Sequence, residues 1–332
     1  MALLEVSELH TEFRTGRGTV KAINGIDFTV DEGEILAVVG ESGSGKSVTA
    51  LTVMGLLNGK HASITKGSIK FGNKELTRLS PKEYNRIRGE EMSMVFQNPL
   101  TALDPSFRIG SQLTEVIRLR RKGISGKQAL EEARRLLEKV GITDPERVLR
   151  AYPHALSGGM RQRIVIAMAI SGKPKLIIAD EPTTALDATI QKQILELLRT
   201  INQEEQTSIM MITHDFGVVA NISDKVAVMY AGKLIEYGRT QDVIANPLHP
   251  YTKGLIGSVP EGGKRQASEK TAARLQQIEG SPPDLLNLPE GCVFYERCPQ
   301  ALPRCSAEMP KSKTYSENRL AACFAVEEGA AL

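Results

Sequence analysis

The apolar and polar positions change rhythm several times along the chain, and each rhythm predicts an element. Over residues 1–30, Leu4, Val6 and Leu9, then Val20, Ile23, Ile26 and Phe28, alternate with polar neighbours. That period predicts antiparallel strands with one buried face. Ile35-Leu36-Ala37-Val38-Val39 is a short uninterrupted apolar run, the mark of a strand buried on both faces. A glycine-rich stretch follows, and 48–57 then reads as helix. A further strand is predicted at 92–96. Residues 111–170 read mainly as helix, with Leu130, Ala133, Leu136, Leu137 and Val140 at helical spacing and charges between them. Strands return at 176–179, 209–213, 226–229 and 234–237. This alternation predicts an α/β fold: a mostly parallel core sheet, an antiparallel β subdomain and a helical insertion.

Near Asn246-Pro247 the texture changes. Residues 260–291 carry Pro260, Gly262, Gly263, Pro282, Pro283 and Pro289 with little periodicity, which reads as a linker or irregular loop. The predicted organisation is a large domain over 1–255, with a helical subdomain at about 98–170, and a small cysteine-containing C-terminal extension over 256–332.

Composition narrows the class. The chain has 332 residues, 41% of them hydrophobic and 24% charged, as in globular proteins. The net charge of +3 gives no reason to expect nucleic acid. No apolar stretch approaches the roughly 18 residues of a membrane span, and no secretory signal pattern is visible. The expectation is a cytoplasmic protein whose membrane contact runs through a partner.

The chemistry lies in a few short motifs. Gly40-Glu41-Ser42-Gly43-Ser44-Gly45-Lys46-Ser47 fits G-x-x-x-x-G-K-[ST] between a predicted strand and a predicted helix. Glycines let backbone N–H groups close around phosphates, and a helix start adds a favourable dipole. Lys46 suits the β- and γ-phosphates, and the Ser47 hydroxyl suits Mg²⁺. The run 176–179 ends in Asp180-Glu181, at the strand end where α/β sites lie. Asp180 is expected to hold Mg²⁺ through water, and Glu181 to act as general base toward the attacking water. Gln97 follows the predicted strand at 92–96 and is placed to reach both the metal and that water. His214 follows the strand at 209–213, near where a γ-phosphate would sit. Taken singly, a Gln is normally surface and a His is more often structural. Leu156-Ser157-Gly158-Gly159-Met160-Arg161-Gln162 reads as a turn opening a helix, able to offer N–H groups to a nucleotide held mainly by another subunit.

Together and in this order, these residues resemble the ATP-binding subunit of ABC transporters. The resemblance runs from Gly40 to His214 and continues to Phe324. It implies the ABC-type P-loop ATPase fold and assigns Gly40, Ser42, Gly43, Ser44, Gly45, Lys46, Ser47 and Val48 to the ATP site. Phe13 is implied as the adenine-stacking aromatic, with Val20 lining the same pocket. Gln97 matches the Q-loop, Asp180 and Glu181 match the Walker B carboxylate and catalytic base, and Asp187 matches the D-loop. His214 matches the switch histidine. Ser157, Gly158, Gly159 and Met160 match the signature that faces the partner's ATP. Met160 stands where the family often has Gln. That departure, the stretch from Gln97 to Pro105 and the segment from Pro247 to Thr252 look like the dipeptide/oligopeptide and nickel importer subfamily. Implied partners are a second, homologous ABC ATPase subunit, two integral membrane permease subunits and an extracytoplasmic peptide-binding protein, with no nucleic acid. The implied place is the cytoplasmic face of the inner membrane. Import of nickel or another small solute is an alternative, and a soluble ABC ATPase acting on DNA or ribosomes is a more distant one. An exporter subunit and a non-catalytic partner fit the motifs less well.

All four cysteines, Cys292, Cys298, Cys305 and Cys323, fall in the extension. Disulfides are disfavoured in the cytosol. Five, six and seventeen residues separate successive cysteines, so the tight spacing of a zinc knuckle is missing. An iron–sulfur cluster tolerates wide spacing, and Cys298-Pro299 is similar to the Cys-Pro of ferredoxin-type runs. The subfamily resemblance also implies a [4Fe–4S] cluster. Cluster, Zn²⁺ and unligated thiols are the three readings, with the cluster expected.

Overall fold

The computed structural model describes residues 1–57, 61–121, 123–258 and 278–328. Most of the expected linker, including Pro260, Gly262 and Gly263, lies outside them. The chain divides into two compact units. One, the loop unit, comprises Leu3–Thr29, Leu36–Thr77 and Thr213–Leu332. The other, the helical unit, comprises Met1–Ala2, Val30–Ile35 and Arg78–Ile212.

In the loop unit a four-stranded sheet runs in the order Gly18–Asp31, Ala2–Thr15, Ala62–Phe71, Lys74–Glu75. The antiparallel register sets Leu4 opposite Phe71 and Val6 opposite Ile69, and all four side chains are buried. The alternation predicted over residues 1–30 is therefore the alternation of this sheet's two faces. The strand Ala62–Phe71 was not expected. Its solvent-facing residues Ser63, Thr65, Lys66 and Gly67 dilute the apolar signal that Ile69 and Phe71 carry.

A second strand set in the same unit begins with Ile35–Val39, parallel to Lys225–Tyr230. Lys233–Arg239 then pairs antiparallel with Lys225–Tyr230. The extension adds Arg319–Ala321 against Lys233–Arg239, and Lys313–Ser316 beyond it, both antiparallel. The core sheet is thus mixed, less parallel than the sequence pattern predicts, because the tail supplies strands of its own. Ala37, Val39, Val226, Val228 and Tyr230 share one buried cluster with Phe294, Cys305 and Phe324 of the extension. The rings of Tyr230 and Tyr251 meet the edge of Phe294 at centroid distances of 5.2 and 5.4 Å. Arg319 donates to Glu236 Oε1 at 2.6 Å, with both side chains buried. Breaking such a pair strands a charge away from water, at about 3–5 kcal/mol.

The helical unit holds three parallel strands, Met92–Val95, Leu176–Asp180 and Ser208–Thr213, with Met92 opposite Leu176 and Leu176 opposite Ser208. Its helices include Ile109–Arg120, Gly126–Lys139, Pro145–Arg150, Gly158–Ile170 and Ala188–Glu205. Gly126–Lys139 starts at a capping box, in which Ser125 Oγ accepts from Gln128 N–H and Gln128 accepts from Ser125 N–H. Ala133, Leu136, Leu137 and Val140 are buried as the periodicity predicts, whereas Leu130 is exposed. Among the described residues no helix is long and apolar enough to cross a membrane.

Candidate functional site

The loop unit carries the glycine-rich motif between the strand Ile35–Val39 and the helix Lys46–Val53. Gly45 precedes that helix with φ +101°, and a Cβ there would stand 2.6 Å from the Ala22 carbonyl oxygen. Backbone conformation and close approach both demand glycine at this position. Lys46 is buried, and its ammonium donates to the carbonyl oxygens of Gly40 and Glu41 at 2.7 and 2.9 Å. Ser44 is buried, Ser42 and Gly43 are exposed, and Ser47 and Val48 are half-buried in the first helical turn. In the same unit Phe13 is half-buried, with its backbone paired opposite Ala62, and Val20 is half-buried on the neighbouring strand. His214 is exposed just past the strand Ser208–Thr213.

The helical unit brings Gln97, Asp180 and Glu181 to the ends of its parallel strands. Asp180 closes the strand Leu176–Asp180 and is buried. Glu181 adopts φ 45°, in the left-handed region that costs a non-glycine residue roughly 1–3 kcal/mol. Its N–H donates to the Ile212 carbonyl at 3.0 Å, which helps hold that turn. Gln97 Nε2 donates to Glu181 Oε2 at 2.9 Å, and Thr184 Oγ1 donates to the same oxygen at 2.8 Å. Two donors converging on one oxygen fix the orientation of the carboxylate. Thr184 was not singled out from the sequence. Its hydroxyl three residues past Glu181 was the available signal.

Ser157 caps the helix Gly158–Ile170, its Oγ accepting from Met160 N–H at 3.3 Å. Ser157 is exposed, Gly158 and Met160 are half-buried, and Gly159 is buried. A Cβ on Gly159 would meet Ile190 Cγ2 at 2.7 Å, so the glycine lets the signature helix approach the helix Ala188–Glu205. Asp187 caps that second helix, its Oδ1 accepting from Ile190 N–H at 3.0 Å.

The cysteine expectation finds no support among the described residues. Cys292, Cys298, Cys305 and Cys323 are free thiols that line the core of the loop unit. Burial pushes the Cys292 and Cys298 thiols up to about 11 and raises Cys323 as well, which holds these three neutral. Nearby cysteines add to each of these rises, so the thiols do sit in one neighbourhood. Yet among the described residues no group of three or more His, Cys, Asp or Glu side chains is arranged to hold a metal ion. This arrangement supports neither the expected [4Fe–4S] cluster nor the Zn²⁺ alternative.

Comparison with known proteins extends these observations. Residues 23–184 match the "ABC transporter" family model, and residues 235–305 match "Oligopeptide/dipeptide transporter, C-terminal region". The dipeptide transport ATP-binding protein DppD of Bacillus subtilis is 49% identical over 99% of this chain and 96% of its own length. The oligopeptide transport ATP-binding protein OppD of Salmonella typhimurium is 50% identical over 97% of this chain and 93% of its own. Among solved structures, the dimeric ATP-binding cassette MJ0796, in a post-hydrolysis state with ADP and phosphate, superimposes with a TM-score of 0.65. It is 26% identical and covers 71% of this chain and 98% of its own. The fold, with its mixed core sheet and antiparallel β subdomain, is that of an ABC-type ATPase. The chain belongs to the ATP-binding subunits of ABC transporters, in their oligopeptide/dipeptide branch.

Proposed function

We propose that this chain binds and hydrolyses ATP to power import of di- and oligopeptides across the cytoplasmic membrane. The observation that carries the catalytic reading is the Glu181 carboxylate in the grip of Gln97 and Thr184, one residue past Asp180 at a strand end. ATP phosphates bind the N–H groups of the loop from Gly40 to Ser47, with Lys46 turning from loop carbonyls to phosphate oxygens. Phe13 and Val20 receive the adenine. Ser47, Asp180 and Gln97 would hold Mg²⁺ through oxygen atoms, the hard donors it prefers, and the ion would supply neutralisation of phosphate charge. Glu181 accepts a proton from the attacking water. Gln97 and Thr184 orient that carboxylate, and His214 contacts the γ-phosphate. Ser157, Gly158, Gly159 and Met160 face the ATP of a second ABC subunit, and Asp187 lies toward the shared interface.

In this reading the ATPase cassette spans 1–255, with its helical subdomain at about 98–170, and the extension spans 256–332. The second ATPase is a homologue. Two permease subunits hold the pair at the inner face of the membrane, and an extracytoplasmic protein delivers peptide. Closure on ATP rearranges the permeases, and hydrolysis resets them.

Glu181→Gln tests the base assignment. Loss of a general base predicts turnover reduced at least about a hundredfold, with ATP binding retained. Turnover near wild type in single-turnover assays would reject it.

A further inference from the structure

The extension reaches into the phosphate loop through one arginine. Arg297 ends the short turn Tyr295–Arg297, next to Cys298, and its side chain is only 6% exposed. Its Nη1 donates to Glu41 Oε2 at 2.7 Å and its Nη2 to Glu41 Oε1 at 3.0 Å, a two-pronged pair across 256 residues of sequence. The remaining donors are also taken. Nε reaches the Glu279 carbonyl at 2.9 Å, Nη2 the Ile278 carbonyl at 3.1 Å, and Nη1 the Tyr230 hydroxyl at 3.2 Å. The guanidinium also lies over the rings of Tyr230 and Phe294. A group pinned on every side cannot swing away, so its position is set by the fold of the extension. Glu41 is held at its backbone as well, where its N–H donates to the Tyr251 hydroxyl at 2.8 Å.

Glu41 is an odd residue for this place. It is the second residue of a loop built to gather anionic phosphates, and its carbonyl oxygen accepts from the Lys46 ammonium. A free carboxylate there would repel phosphate oxygens and compete for Lys46. We propose that Arg297 is a positioning residue for ATP binding: it draws the Glu41 carboxylate aside and neutralises it, so the extension sets the nucleotide affinity of the loop. The bland alternative is a staple, in which the pair only fastens the tail to the cassette. The proposal rests on the reading of this loop as the ATP site.

The two readings part in a rescue experiment. Affinity for a fluorescent ATP analogue is measured under non-hydrolysing conditions for the chain assembled with its partner subunits. Arg297→Ala is expected to bind about ten- to a hundredfold more weakly, because the Glu41 charge is released. Adding Glu41→Gln to that variant removes the charge and is expected to restore affinity to within a few-fold of wild type. A mere staple predicts no rescue, since both halves of the pair are then gone. If Arg297→Ala does not fold, Arg297→Lys, which loses the paired donors, is compared with and without Glu41→Gln in its place. Unchanged affinity in the arginine variant, or weakened affinity that Glu41→Gln fails to restore, would overturn the proposal. Lys46→Ala runs alongside. Undiminished binding in that variant would condemn the loop reading itself, whereas its loss beside an inert Arg297→Ala would condemn only the clamp.

Discussion

Two adjacent glycines of the signature show how finely single atoms are placed. A methyl group on Gly158 would meet only the tip of Leu186, at 3.3 Å, and a flexible side chain can give by that much. On Gly159 it would stand 2.7 Å from the branched Cγ2 of Ile190, held within a packed helix. Gly159→Ala is therefore expected to cost about 1–3 kcal/mol in urea unfolding, the usual range for forced overpacking, and Gly158→Ala clearly less. Equal costs would contradict the packing argument. At this scale the motif residues were legible, because phosphate and carboxylate chemistry restricts residue type and spacing. Thr184 and Arg297 were not. Thr184 became visible only through its bond to Glu181. The partner of Arg297 lies so far away in sequence that no local pattern connects them.

Elements were legible where burial is two-sided or periodic, as at Ile35–Val39, Leu176–Asp180 and Gly126–Lys139. Edge strands were not. Lys313–Ser316 is exposed throughout, so its sequence carries no apolar signal. The helix Pro250–Gly257 makes the element scale testable. His249 caps it, Nδ1 accepting from Tyr251 N–H at 3.0 Å, and so must be unprotonated there. Burial, with Lys253 adding to it, lowers the His249 pKa to about 3. In the unfolded chain the imidazole titrates near about 6.5. Between those values the unfolded state binds the extra proton. The contribution of His249 is thus complete above about pH 6.5 and is lost as pH falls toward 3, by about 1.4 kcal/mol per pH unit. Asparagine keeps a capping oxygen and does not titrate. Urea unfolding of His249→Asn between pH 7 and 5 should therefore show a shallower loss of stability than wild type. Parallel pH profiles would contradict this account of the cap.

For the whole molecule, the tail changes the picture most. A linker followed by a cysteine-bearing appendix was the natural reading of its sparse, proline-rich sequence. Its described part contributes strands to the sheet of the loop unit, aromatic packing around Phe294, and two arginines, Arg297 and Arg319, each paired with a glutamate of the cassette. Three of the cysteines, Cys292, Cys305 and Cys323, are buried within this packing. Family membership ties that architecture to transport, and the central claim is that ATP turnover on this chain drives peptide inward. The direct measurement is uptake of a labelled oligopeptide into proteoliposomes holding the assembled transporter, with ATP on the side of this subunit and binding protein on the other. Uptake is expected to require ATP and to vanish with Glu181→Gln, while hydrolysis by the wild-type assembly rises with peptide-loaded binding protein. Peptide uptake that persists with Glu181→Gln in this chain, or hydrolysis indifferent to peptide, would contradict it.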